Sequence, residues 1–169
     1  EESIIEQMVE KFKYEFDSTL LLRASALGLS VHEVLTMASI IEGETRIDSE
    51  RSIVAGVYYN RLKKRIPLQA DPTIQFIISN GPRLLKRSDL KRESPYNTYL
   101  NSGLPPGPVN NPGLASIRAA LYPQKHKYLF FVANGEGGHI FTKTFTEHKK
   151  AILQYKKMRE EKKAYEEIM

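Results

Sequence analysis

Cysteine is absent from this sequence of 169 residues, which excludes a disulfide framework and any metal site built on thiolates. Its four histidines, His32, His126, His139 and His148, are scattered without the spacing of a ligand set, so neither a metal nor a cofactor is expected. No apolar run approaches the ~18 residues that a membrane-spanning helix requires. The chain opens on Glu1 rather than on a leader peptide, and it reads as an excised part of a longer protein. There is no internal repeat and no sign of a second domain, so residues 1–169 are read as one unit.

What is present suits a folded domain. The hydrophobic share is 41%, with 10 glycines and 9 prolines, and a chain of this length can bury a real core. The net charge is +5 and the pI is near 9.3. That balance suits nucleic acid, a membrane surface or a polymer carrying carboxylates, and charge does not choose among them. Lys63-Lys64-Arg65 and the stretch from Arg83 to Arg92 are basic, but neither has the interleaved aromatics of a single-strand-binding platform. Both are read as solvated surface, and no nucleic-acid partner is expected.

Local patterns predict a mostly helical chain. Ile5, Met8, Phe12 and Phe16 fall at helical spacing and predict an amphipathic, core-packing helix continuing to Leu27, where Gly28 stops it. Ser30-Val31-His32-Glu33 is a capping box that starts a second helix, to about Thr45. Asp48 or Ser49 caps a third through Lys63. At Asp71-Pro72 a carboxylate cap and a proline in the first turn open a fourth, to about Ser79. Residues 80–111 are rich in Gly, Pro, Asn and Ser and read as an extended loop, after which Asn111-Pro112 caps a helix to about Leu121. Tyr128 to Val132 and His139 to Thr142, joined by the Gly-rich turn Asn134 to Gly138, predict a β-hairpin. A charged helix follows from Thr146, with few apolar residues between Arg159 and Glu167. The fold class is therefore α+β, helical with a small antiparallel sheet. Residues 1–28 form an N-terminal helix, 30–145 the core and 146–169 a charged C-terminal helix.

Candidate chemistry gathers on the second and third helices. Val34, Leu35, Met37, Ala38, Ile40 and Ile41 make one apolar arc, and Glu44 projects within it, at helical spacing from Ile40 and Ile41. A carboxyl desolvated there has its pKa raised, which is what a general acid for glycosidic cleavage needs. Glu42 lies beside Ala38 and Leu35 almost as well, and helix angles do not decide between the two. Asn60 and Arg61 share the arc of Ile53, Val54 and Val57. They either line a polar cleft, or bond backbone and snorkel. Tyr96-Asn97-Thr98-Tyr99 combines flat apolar faces with amide and hydroxyl groups suited to sugar rings, and reads equally as a turn with two core tyrosines. His139, after Gly137-Gly138, is read as a turn residue.

Six ordered blocks carry a resemblance from about Leu35 to Ala151. They include Ala38-Ser39-Ile40-Ile41-Glu42-Gly43-Glu44-Thr45, Tyr59-Asn60-Arg61-Leu62, Leu68-Gln69-Ala70-Asp71-Pro72-Thr73, Ser94-Pro95-Tyr96-Asn97-Thr98-Tyr99, Gly103-Leu104-Pro105-Pro106-Gly107-Pro108 and Tyr128 to Val132. With them the chain resembles the YceG-like endolytic murein transglycosylases of bacteria. The resemblance implies a lyase that cuts the bond between N-acetylmuramic acid and N-acetylglucosamine within glycan strands and leaves 1,6-anhydro ends. Glu44 would be its catalytic acid/base and Glu42 a supporting residue, with Asn60, Arg61, Gln69, Asp71, Tyr96, Asn97 and Thr98 as cleft residues. Alternatives are a hydrolase in which Asp71 or Glu42 activates water, and a non-catalytic glycan-binding module. The resemblance further implies peptidoglycan strands and the wall-synthesis machinery as partners. It also implies a single-pass plasma-membrane anchor and a LysM-like region ahead of this segment, with the catalytic part facing the wall. Two departures stand out: Gly43 replaces a common lysine and Lys149 a common asparagine. Gly43 is expected to loosen the helix before Glu44, by up to about 1 kcal/mol relative to alanine.

Overall fold

The computed structural model describes residues 2–168, with side chains over 3–162. The described elements are α1 (Glu2–Glu15), α2 (Ser18–Ala26), α3 (Val31–Glu44), α4 (Asp48–Lys63), α5 (Asp71–Ile77), α6 (Leu114–Leu121), β1 (Phe130–Ala133), β2 (His139–Thr142) and α7 (Phe145–Ile168), with a 3-10 turn at Asp89–Lys91. The α+β expectation therefore holds, with one two-stranded antiparallel sheet.

The centre of the molecule is α3. Its capping box forms as the sequence implies: Glu33 N donates to Ser30 Oγ at 3.2 Å, and Ser30 N donates back to Glu33 Oε2 at 2.8 Å. Val34, Met37, Ala38, Ile40 and Ile41 are fully buried, and α3 packs chiefly on α6 and also on α4 and α5. Thr36 and Ser39 are buried too, and donate their hydroxyls back to His32 O and Thr36 O. That return bond is how a polar residue survives inside a packed helix.

Four boundaries differ from expectation. The N-terminal helix breaks at Phe16-Asp17, because the Asp17 carboxylate accepts the Leu20 N–H at 3.0 Å and starts α2 afresh. Of the α1 positions expected in the core only the flanking Phe16 is buried, while Ile5 and Met8 are exposed. Asp71 does not cap α5: Ala70 occupies the cap position without a side-chain bond, and Asp71 is the first helical residue. The helix expected to start at Asn111-Pro112 starts at Leu114 behind Gly113. α4 is likewise not capped by Asp48 or Ser49, which are already helical: Ile47 holds the cap position and makes no side-chain bond. Gly28, at φ 70°, ends α2 as its freedom for left-handed backbone allows.

The hairpin pairs Phe130 with Thr142 and Ala133 with His139, and α7 packs against both strands. Its turn is organised by Asn134, whose Oδ1 accepts from Glu136 N and Gly138 N. The long segment between α5 and α6 is fixed by side chains instead of regular structure. Asn97 Nδ2 donates to Leu90 O and Arg92 O, and its Oδ1 accepts from Tyr99 N. Ser39 holds the far end by accepting from Val109 N and, through its carbonyl, from Asn110 Nδ2. Backbone that forms no ladder needs such partners when buried.

Candidate active site

A cavity of about 290 Å³ lies where the C-terminal end of α3 meets α4, the start of α5 and β1. It is lined by Glu44, Tyr58, Arg61, Leu68, Gln69, Asp71, Tyr99, Phe131 and His148. Glu44, Arg61, Gln69 and Asp71 are thus the sequence candidates that come together.

Glu44 is the last residue of α3, and Tyr58 Oη donates to its Oε1 at 2.5 Å. Burial raises the Glu44 pKa to about 7; the Tyr58 hydroxyl opposes that rise, and the Asp71 carboxylate adds to it. The Tyr58 phenol is pushed far above its ordinary value, by burial first and then by the Glu44 charge. It therefore remains a donor across the whole working range of pH. The Asp71 backbone N–H also favours the charged form of Glu44, though less than burial disfavours it. Gly43 has a packing role beside Glu44: a Cβ there would lie 2.6 Å from Pro72 Cβ and Cγ. As expected, α3 continues through it to Glu44, and the missing side chain lets α5 approach.

Arg61 is buried and holds the cavity wall together. Its Nε donates to Leu129 O at 2.7 Å and its Nη1 to Leu68 O at 2.6 Å, while the guanidinium stacks over Phe130 at 5.2 Å. One residue thereby ties α4 to both the strand β1 and the turn before α5. In that turn Gln69 adopts φ 51° and donates its N–H to Thr98 O, which leaves its side chain at the cavity. Asp71 accepts the Tyr99 hydroxyl at 2.5 Å.

The other candidates lie elsewhere. Glu42 Oε2 accepts from Ser116 Oγ at 2.7 Å, Gly113 N at 3.2 Å and Arg51 Nη1 at 3.3 Å, so it anchors the start of α6 to α3. Asn60 bonds backbone, donating to His126 O and Tyr128 O. Its amide thus bonds backbone and lies outside the Glu44 cavity, whereas Arg61 lines that cavity. Tyr96 packs on Phe76 at 4.7 Å, away from the cavity. Asn97 and Thr98 are fully buried. Thr98 accepts Ala70 N at 3.0 Å and meets Thr73 Oγ1 at 2.9 Å, so both residues hold the loop that presents Tyr99, Gln69 and Asp71. His139 begins β2 and is clamped by Glu50, with Nδ1 at 2.7 Å from Oε2 and its backbone N–H donating to Oε1 at 2.9 Å.

Sequence reasoning missed Tyr58 and His148 as site residues, and marked Tyr99 only as part of the Tyr96–Tyr99 motif and not as a cleft residue by itself. Tyr58 was within reach, since it shares the α4 stripe of Val54 and Arg61. Tyr99 is placed by the Asn97 side chain two residues before it, whereas His148 carries no local signal and is placed by the packing of α7 on β1. The His148 ring stacks on Phe130 at 5.1 Å and its Nδ1 is buried without a partner. Burial, then the nearby Arg61 charge, lowers its pKa.

The sequence profile of the YceG-like family matches residues 1–154. The chain belongs to the YceG-like family. It is 48% identical over 134 residues to the endolytic murein transglycosylase of Bacillus subtilis, a match covering 79% of this chain and 37% of that protein. The endolytic murein transglycosylase of Streptococcus pneumoniae is 34% identical over 149 residues, covering 83% of this chain and 27% of that protein. The chain thus spans well under half the length of these curated relatives. A crystal structure of a YceG-like protein from Listeria monocytogenes superposes with a TM-score of 0.81 at 43% identity, covering 88% of this chain and 48% of that one. The YceG-like fold is accordingly that of this chain as well. Among the described residues no single helix is long and apolar enough to cross a membrane.

Proposed function

We propose that this chain is the catalytic domain of an endolytic murein transglycosylase, with Glu44 as its acid/base. The observation that carries the reading is the Glu44 carboxyl at about pKa 7, bonded by Tyr58 inside a polar cavity; the names of its relatives support the same chemistry. Protonated Glu44 gives its proton to the bridging oxygen as the bond from the muramic C1 breaks and positive charge develops there. The resulting carboxylate takes the proton of the same sugar's C6 hydroxyl. O6 then closes on C1, giving a 1,6-anhydro end with no water consumed, and the tethered nucleophile has the entropic advantage of proximity. Asp71 supplies negative charge to the same cavity as the anomeric centre becomes positive. Tyr58 orients the acid, Arg61 fixes the wall, and Asn97 and Thr98 position the loop. Polymeric peptidoglycan is the substrate, so the domain acts on the wall side of the membrane, beside the synthetic machinery and behind an N-terminal anchor.

One observation favours a second reading. Asp71 shares the cavity with Glu44, so a water held by Asp71 could attack C1 and turn the reaction into hydrolysis with two carboxylates. Glu42, engaged at α6, drops out of that role. Mass spectrometry of products from uncrosslinked strands separates the outcomes. Anhydro ends that vanish in Glu44→Gln support the lyase, and reducing ends that vanish in Asp71→Asn support hydrolysis. Unchanged cutting by Glu44→Gln removes Glu44 from either mechanism, and a folded parent that binds strands without cutting them is a binding module.

A further inference from the structure

A second concavity, of about 530 Å³, is lined by Asn60, Lys63, Lys64, His126, Lys127 and Leu129. It borders the first cavity along α4. Tyr58 and Arg61 face the Glu44 side, and Asn60, Lys63 and Lys64 form the neighbouring stripe, roughly a third of a turn away. The segment leading into β1 serves both: the Leu129 carbonyl accepts from Arg61 while Leu129 also lines the groove.

The polar groups of the groove wall are already engaged. The Asn60 amide N–H groups go to His126 O and Tyr128 O. His126 Nε2 donates to Ile53 O at 2.9 Å and its Nδ1 accepts from Tyr128 N at 3.1 Å. These bonds make the wall rigid and leave the ammonium groups of Lys63, Lys64 and Lys127 as its free chemistry. All three side chains are exposed, and none belongs to an ion pair among the described residues. A position at the end of α4 suits Lys63 and Lys64 for helix-dipole reasons alone. Lys127 has no such reason, and is brought beside them from a distant part of the chain by the Asn60 clamp. Three flexible point charges on a fixed wall read charge and tolerate varied shape, which suits carboxylates on a short peptide better than the neutral face of a sugar.

We propose that this groove is a subsite for a carboxylate-bearing peptide arm of the glycan strand whose sugars occupy the Glu44 cavity. The proposal rests on the substrate reading above and adds to it where the arms of the strand are held.

The test is fluorescence anisotropy with two soluble, uncrosslinked strands of equal length, one with free arm carboxylates and one with those carboxylates capped as methylamides. Both are titrated against the chain carrying Glu44→Gln, which keeps strands intact, with and without Lys63→Gln, Lys64→Gln and Lys127→Gln together. The expected result is a preference of about tenfold for the free-carboxylate strand, from three exposed charge contacts. That preference weakens with salt, is lost in the lysine variant, and leaves affinity for the capped strand unchanged. Preference retained by a lysine variant with a parental melting curve overturns the proposal, as does a single-stranded oligonucleotide of matched charge binding as tightly as the free-carboxylate strand. Equal binding of both strands by the parent removes the subsite and leaves the Glu44 reading intact. A clear preference in a chain whose Glu44 form cuts nothing removes the catalytic reading and keeps the subsite.

Discussion

Glu42 and Glu44 stand two positions apart on the same helix, about 200° around its axis, and they have opposite fates. Glu42 meets a serine hydroxyl, a backbone N–H and a guanidinium, partners that stabilise a carboxylate and hold two helices together. Glu44 meets a phenol inside a cavity and a neighbouring carboxylate, and its proton is retained to about pH 7. Residue type and helix are common to both, so the difference comes entirely from what α4, α5 and α6 bring to each face. A carboxylate satisfied by three donors is a structural joint; one whose burial outweighs its hydrogen bonds keeps its proton.

That contrast can be broken in order of expected effect. Glu44→Gln is expected to lower kcat/KM on peptidoglycan strands by about 10³-fold, the range of a lost general acid/base, while Glu42→Gln leaves the activity of each folded molecule largely intact; the reverse ranking would exchange their roles. The second effect is on stability. Below about pH 4.5 Glu44 is protonated whether folded or not, and between 4.5 and about 7 the unfolded chain releases a proton that the folded one keeps. The Glu44 contribution to stability therefore falls as pH rises through that window, by up to about 3 kcal/mol, and levels off above it. Glu44→Gln removes this loss, so urea denaturation at about pH 4 and about pH 8 should find the variant's advantage only at the higher pH; an advantage equal at both would mean that Glu44 titrates normally.

Next in size, Glu42→Gln is expected to destabilise the fold by about 2 kcal/mol, because Arg51 and the start of α6 lose a charged acceptor. A thermal melt indistinguishable from the parent's would show that the joint contributes nothing. The smallest shift belongs to Tyr58→Phe. Without the hydroxyl that favours its charged form, Glu44 should titrate higher, moving the alkaline limb of the kcat/KM profile up by about one pH unit, the equivalent of a ~1.4 kcal/mol hydrogen bond. An unmoved limb would detach Tyr58 from the acid.

Much of this was legible along the chain. The capping box at Ser30, the apolar arc that includes Glu44 and the Gly-rich hairpin turn are local patterns, and each formed where its pattern lies. Arg61 was marked by its place on a buried stripe. The misread boundaries differ in kind: Asp17 restarts a helix through a local bond to Leu20 N, whereas Ile47, Ala70 and Gly113 hold cap positions with no side-chain bond at all. Asp71 was expected to cap α5, but its carboxylate is taken up by Tyr99, 28 positions along the chain, whose backbone is held by Asn97.

By itself, then, the sequence determined the helices, the hairpin and the presence of an acidic residue on a buried face, because those follow from spacing over a few residues. Which of the two glutamates is desolvated and keeps its proton to about pH 7 was decided only by the tertiary structure. Proton affinity depends on desolvation and on charges that arrive from Tyr58, Asp71 and Arg61, groups that are neighbours in space and distant in the chain.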